Sequence, residues 1–309
     1  MWENGQGMPG SCIDFKIANI IIRIETAQPV EICVSDPAYE SFISEAAREQ
    51  GSDLELKVDL DGLPDLRGMS SFGDAEDEWD IYTRDGDYFV IKKQYRADIQ
   101  PLWVLQLRSD FERGTLYCRP EIAEAAQNDG LLENPLCYPL DTTLMMYRLT
   151  IEGGVIVHAA GIEIDGRTYI FPGKSGAGKS TISRQFSNNE DVICLSDDRI
   201  IVRKECGHHI AYGTPWPSDV QIAINRGAPL AGIVFLSHAT ENSIRRITSA
   251  EALQRFIPTV SIPWYDRQAS DMILSFCDGL LSSIPLYEIS FCPGPEVADF
   301  FVDTFRKHI

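Results

Sequence analysis

Alternating apolar and polar positions dominate the first 120 residues, and they predict strands with little helix. Two apolar runs between Phe15 and Val34, IANIIIRIE and VEICV, are separated by Thr26-Ala27-Gln28-Pro29 and read as two strands. Asp36-Pro37 opens a short predicted helix through Ala47, with acid at its start where the helix dipole favours it. Leu54–Leu60 alternates at period two and predicts a half-buried strand, whereas Ser70–Asp80 reads as an acidic surface loop. Asp80–Lys93 has the signature of a hairpin turning at Asp85-Gly86, and Leu102–Leu107 with Thr115–Arg119 forms a second. Residues 1 to about 12 are mostly Gly, Pro or polar and are expected to be disordered.

From Pro139 the spacing turns helical: Pro139-Leu140-Asp141 starts a helix, Thr142–Ile151 continues it, and Gly153-Gly154 ends it. VIVHAAGIEI, a turn at Asp165-Gly166 and RTYIF then predict a hairpin, followed by a helix ending near Ser187-Asn188-Asn189. VICLSDD is a strand capped by two aspartates, and RIIVRK and HHIAYG pair around Cys206-Gly207. After the tight loop Thr214-Pro215-Trp216-Pro217 come the strands GIVFLS and IRRIT, helices at Ser249–Phe256 and Gln268–Leu281, the strand PLYEISF, and an amphipathic helix at Glu296–Lys307. The expected organisation is a β-rich accessory or substrate-docking domain over residues 1–130 and an α/β (α+β) domain over 131–309.

Composition narrows the classes of partner. The chain has 309 residues, 46 of them acidic and 27 basic, for a formal net charge of -19. Such a balance repels nucleic acid and anionic membranes, so neither is expected as a partner. No apolar run reaches the roughly 18 residues needed to span a bilayer, and the first residues lack the pattern of a secretory signal. The eight cysteines form no C-x-x-C pair and no zinc spacing; most sit in apolar runs, where cysteine is usually a small buried hydrophobe. Reduced thiols predict a cytoplasmic protein. Oligomeric state is left open, a homo-oligomer included.

The chemistry concentrates between residues 158 and 198. GKSGAGKST, from Gly173 to Thr181, fits the phosphate-loop pattern and lies between a predicted strand and a predicted helix. Backbone N–H groups of Gly173, Lys174, Ser175, Gly176, Ala177, Gly178, Lys179, Ser180 and Thr181 are candidates to hold the phosphates of ATP. Lys179 is expected to reach the β- and γ-phosphates, and the Ser180 hydroxyl to ligate Mg²⁺. Asp197 and Asp198 follow Lys179 by 18 and 19 residues at the end of an apolar strand. One acid there suits a metal, and the second suits proton removal from an attacking hydroxyl. His158 lies 15 residues before Gly173 on the strand that feeds the loop, where it could steady charge or tune an aspartate. Arg267 is a candidate phosphate clamp and Asp219 a candidate metal ligand; His208 and His209 read as surface residues.

This order of residues resembles HPr kinase/phosphorylase. In that family a histidine stands the same distance upstream of the loop and an Asp-Asp pair at nearly the same distance downstream. FPGKSGAGKSTIS followed by LSDD is also similar to ATP-dependent phosphoenolpyruvate carboxykinase. The likeness covers residues 150 to 200 well and 200 to 309 loosely. It implies a PEP carboxykinase/HPr kinase-like nucleotide-binding core with a mixed sheet and a P-loop. It also implies that Asp198 is the proton acceptor, that Asp197 assists the metal, that His158 matches the family's active-site histidine, and that Arg267 matches the arginine opening its late helix. Three features depart from the family: Thr181 replaces its glutamate, the Asp pair lies one residue further downstream, and YGTPWPSD stands where its Arg-Gly signature loop would be. The chain looks more like the divergent relatives that include serine kinases acting on lasso peptides. The expected function is therefore a kinase using ATP and Mg²⁺, with a peptide or small-protein hydroxyl as acceptor. The alternatives are a small-molecule kinase and a nucleotide-sensing module without turnover.

Overall fold

A computed structural model describes residues 10–45, 51–75, 79–92, 100–137, 139–174, 176–187, 189–292, 294 and 296–307. The strands are β1 (Cys12–Ile17), β2 (Ile20–Thr26), β3 (Glu31–Cys33), β4 (Leu54–Asp59), β5 (Ser70–Ala75), β6 (Trp79–Arg84), β7 (Asp87–Lys92), β8 (Trp103–Leu107), β9 (Arg113–Cys118), β10 (Leu131–Glu133), β11 (Gly154–Ile164), β12 (Arg167–Pro172), β13 (Val192–Ser196), β14 (Arg199–Glu205), β15 (His208–Tyr212), β16 (Gly227–His238), β17 (Ser243–Arg246) and β18 (Leu286–Phe291). The helices are α1 (Pro120–Asp129), α2 (Leu140–Glu152), α3 (Lys179–Phe186), α4 (Ser249–Phe256), α5 (Arg267–Ser283) and α6 (Glu296–Lys307). The fold is a mixed α/β, α+β type. It divides into one unit of Met1–Arg148 with Pro263–Arg267 and another of Leu149–Ile262 with Gln268–Ile309.

The first unit is built on an eight-stranded sheet in the order β1-β2-β4-β9-β8-β7-β6-β5. Only β2/β4 and β4/β9 pair in parallel; the rest of the sheet is antiparallel. Inward positions such as Ile22, Leu56, Leu105 and Leu116 are wholly buried, as the alternation requires. Four expectations need correction here. The run IANIIIRIE is not one strand: Ala18 and Asn19 have φ of 50° and 59° and turn the chain between β1 and β2. Two consecutive positive-φ residues suit the right-handed twist of a hairpin, and Asn tolerates that region. The helix after Asp36 is a 3₁₀ turn over Pro37–Phe42, and residues 46–50 lie outside the described ones. Ser70–Ala75 is an edge strand rather than a loop, because its backbone pairs with β6 despite polar side chains. α1 and β10 were not anticipated between Pro120 and Pro139. The stretch expected to be disordered is outside the described residues up to residue 9, and β1 starts at Cys12.

In the second unit two long strands, β11 and β16, organise everything else. The start of β11 pairs with β14, and its end pairs with β12 on one side and β13 on the other. β16 runs first against β15, then parallel to β12, then parallel to β18. Strands β11, β14, β15, β16 and β12 thus close on one another. The parallel set β12, β16 and β18 leaves three strand ends on one edge, and in parallel sheets that carboxyl edge is where ligands collect. Both α3 and α6 cover this sheet. Ile182 and Phe186, four apart on α3, and Val297, Phe301 and Phe305 on α6 bury themselves against Tyr169, Phe171 and Ile289. Phe301 touches the rings of Tyr169, Phe171, Phe186 and Phe305 at centroid distances of 4.4–5.5 Å. This packing fixes the root of α3, and with it the turn that precedes the helix. Among the described residues, no helix is long and apolar enough to cross a membrane. Of the cysteines only Cys118, Cys194 and Cys277 are buried, fewer than their apolar neighbours suggested.

Candidate functional site

β12 ends at Pro172 and α3 begins at Lys179, so the glycine-rich segment is a bare connection between strand and helix. Gly178 is the N-cap residue at φ 95°, and no side chain caps the helix. A Cβ on Gly178 would stand 3.1 Å from the Phe291 ring and 3.5 Å from His238, so glycine is required by both conformation and space. The first N–H groups of an α-helix have no partner within the helix, and leaving them uncapped presents donors and a positive dipole end to an anion. Gly176 also has positive φ, Lys174 is exposed, and Ser180 and Thr181 are half-buried; Ser175 lies outside the described residues.

Lys179 is buried, and its ammonium donates to the carbonyls of Gly173 at 2.6 Å and Lys174 at 3.3 Å, lashing the turn across its mouth. Burial lowers its pKa, and the charges of Asp198 and Asp197 oppose that shift. A cation desolvated in this way is better stabilised by an anion than by two carbonyls.

His158, the glycine-rich turn and the aspartate pair meet through the backbone. His158 lies just before Ala159, which pairs with Pro172; Gly173 N–H donates to the His158 carbonyl at 3.1 Å and Ala159 N–H to the Asp198 carbonyl at 2.8 Å. Their side chains meet too. His158 Nε2 is 2.7 Å from Asp198 Oδ1, and Arg199 Nε is 3.4 Å from Oδ2. Burial pushes the Asp198 carboxyl up, but the His158 hydrogen bond and the charges of His158, Arg199 and Lys179 outweigh it and hold it below the ordinary range. Asp198 is therefore an ionised, half-buried carboxylate held between an imidazole and a guanidinium.

Asp197 plays a different part. It is 1% exposed, and its carboxylate accepts from Ser218 N–H at 3.1 Å, Ser218 Oγ at 2.8 Å and Val220 N–H at 2.9 Å. Those bonds pin the loop after Trp216 to the end of β13 and occupy both oxygens, so metal ligation would cost the loop its anchor. Asp219 sits between the two anchored residues and is exposed. Among the described residues, no group of three or more His, Cys, Asp or Glu is arranged to hold a metal ion. Arg267 is the first residue of α5 and falls in the Pro263–Arg267 segment grouped with the first unit, not with the loop.

Sequence reasoning missed Arg199, the Ser218–Val220 anchor, and the flanking of Gly178 by His238 and Phe291. His238 ends β16 and Phe291 ends β18; they are paired in register, with ring centroids 5.2 Å apart. The strand pattern placed Phe291 at a strand end and stopped the other strand at Ser237, one residue short of His238; only parallel pairing brings those ends to the loop.

The class defined by this edge is a mixed-sheet α/β protein with a glycine-rich, uncapped strand-to-helix turn and a His–Asp pair beside it. The model of the family described as SynChlorMet cassette protein ScmC matches residues 138–271, a segment holding the turn, the His–Asp pair, Asp219 and Arg267. Among solved structures, the Hpr(Ser) kinase/phosphatase from Coxiella burnetii is similar over 50% of this chain and 89% of that one, at 13% identity and a TM-score of 0.30. Both relations are distant. No curated protein matches the chain.

Proposed function

We propose that this chain is an ATP-dependent phosphotransferase that moves the γ-phosphoryl group to a hydroxyl, the serine of a peptide or small protein. The observation that carries the reading is Asp198: an ionised carboxylate, oriented by His158 and Arg199, on the strand end beside Lys179. The donor set suits the nucleotide, since the helix start has no side-chain cap and Lys179 is a desolvated cation beside it. The glycine-rich segment then acts as a P-loop, in the HPr kinase-like core that the sequence between residues 150 and 200 resembles. Mg²⁺ would be held by the Ser180 hydroxyl together with phosphate oxygens and would neutralise charge on them.

Asp198 accepts the proton of the acceptor hydroxyl as its oxygen bonds to the γ-phosphorus and the bond to the bridging oxygen breaks, releasing ADP. Lys179 and the N–H groups at the start of α3 steady the charge that moves onto ADP. Phosphoryl transfer asks mainly for such positioning and neutralisation. In this reading Asp197 holds the 218–220 loop beside the base, and the β-rich first unit serves acceptor docking. The protein would work in the cytoplasm.

The test is transfer from γ-labelled ATP to serine-containing peptide pools and, in parallel, to hydroxy-metabolites. Asp198→Asn should keep ATP binding and lose at least a hundredfold in transfer, the scale of a lost general base. Lys179→Ala should weaken both. Full turnover by Asp198→Asn would remove the base assignment. Label found only in the metabolite pool would make the protein a small-molecule kinase. ATP-dependent thermal stabilisation with no ADP formed on any acceptor would make it a sensor.

A further inference from the structure

A hollow of about 410 Å³ lies between the β14–β15 hairpin and α5. It is distant from the glycine-rich turn. Gly154 at the foot of β11 pairs with Arg203, whereas Ala159 pairs with Pro172, and five residues of strand separate the two levels by roughly 17 Å.

Its lining is unusual for so acidic a chain. Lys204 and His209 are cross-strand partners in the β14/β15 ladder, so their side chains rise from the same face; His208, the neighbouring lining residue, is paired in that ladder with Glu205. No Asp or Glu lines the hollow, although acidic residues outnumber basic ones 46 to 27. Among the described residues, neither Lys204 nor His208 has an ion-pair partner. His209 is held, not loose: its ring meets Phe276 edge-on at 5.7 Å, and its Nδ1 lies 3.4 Å from Ser283 Oγ. Burial and the charge of Lys204 both disfavour its protonated form. Two basic groups brought together beside an aromatic wall, with no carboxylate between them, form an arrangement that an anion would relieve. The apolar part of the lining includes Phe276, half-buried, and Leu230, buried. The volume falls within the range of about 300–1,000 Å³ typical of small-ligand sites.

We propose that this hollow binds a small organic oxyanion, its charged head between Lys204 and His209 and its flat apolar body against Phe276. The site is independent of the phosphotransferase reading and of the nucleotide turn.

The experiment is calorimetric titration of the full chain with benzoate, phenyl phosphate and, as the neutral control of similar shape, benzyl alcohol. Both anions should bind and benzyl alcohol should not. Lys204→Gln changes an exposed side chain and should weaken the anions at least roughly tenfold, the lower end for one hydrogen bond to a charged group. Adding His209→Gln should remove measurable binding, with circular dichroism confirming the fold. Lys179→Ala should leave both anions unaffected, which separates this hollow from the nucleotide turn. Equal binding of benzyl alcohol, unchanged affinity in Lys204→Gln, loss of binding in Lys179→Ala, or no anion binding at millimolar concentration would each overturn the proposal.

Discussion

Asp197 gives the sharpest test of how the candidate site is held. Its carboxylate is 1% exposed and accepts three hydrogen bonds from Ser218 and Val220, residues more than 20 positions away in the chain. Replacing it with Ala orphans two backbone N–H groups and a hydroxyl. Each buried N–H left without a partner costs about 1–3 kcal/mol, so the two orphaned here imply a loss of about 2–6 kcal/mol for Asp197→Ala. Asp197→Asn is more informative. The amide oxygen can replace one carboxylate oxygen and the Ser218 hydroxyl can rotate to accept from the NH₂, but one backbone N–H must then face that NH₂. Leaving one buried donor unsatisfied costs about 1–3 kcal/mol, equivalent to roughly 5–150-fold more frequent local opening. Hydrogen exchange at the amides of Ser218 and Val220 reads this directly, because local opening is measured without assuming that two units unfold together. Exchange should quicken at one or both amides in Asp197→Asn and at both in Asp197→Ala, with amides of the β6–β7 hairpin unchanged. Unaltered exchange at Ser218 and Val220 in both variants would refute the anchor, and with it the division of labour between the two aspartates.

Gly178→Ala should destabilise the turn more than Gly176→Ala. Both positions have positive φ, which costs an L-residue about 1–2 kcal/mol, but only at Gly178 does a Cβ also press on the Phe291 ring at 3.1 Å. Thermal unfolding compares them, and equal losses would mean that Phe291 gives way freely. The pH dependence of stability should expose Asp198. Its folded pKa lies below the ordinary value, so its ionisation stabilises the fold above about pH 4, the unfolded carboxyl value, and that contribution disappears as pH falls through the folded pKa. The gap in Tm between wild type and Asp198→Asn should be full near neutrality and close in acid; a gap that widened on acidification would contradict the pairing with His158 and Arg199.

What could be read from the chain alone follows from how far apart the cooperating residues lie. The hairpins at Asp85-Gly86, Asp165-Gly166 and Cys206-Gly207 were legible because both turn residues have positive φ and a glycine marks each pair. Ala18-Asn19 carries the same geometry without a glycine, inside an unbroken apolar run, and so passed for strand. Ser70–Ala75 was hidden for the opposite reason: an edge strand needs backbone partners more than apolar side chains, and its pairing with β6 is what defines it. The site divides the same way. Its glycine-rich turn and its Asp198 are short-range patterns, and His158 is reached through one hairpin. Arg199 was adjacent to the pair yet silent, because arginine on a strand is common and only its 3.4 Å approach to Asp198 gives it a part. The Asp-Asp pattern does not reveal which aspartate faces inward. β13 ends beside the loop that follows Trp216, and burial of Asp197 there leaves Asp198 to turn towards His158. The role of each carboxylate is thus set by a contact across 21 residues of chain, which spacing within the motif cannot encode.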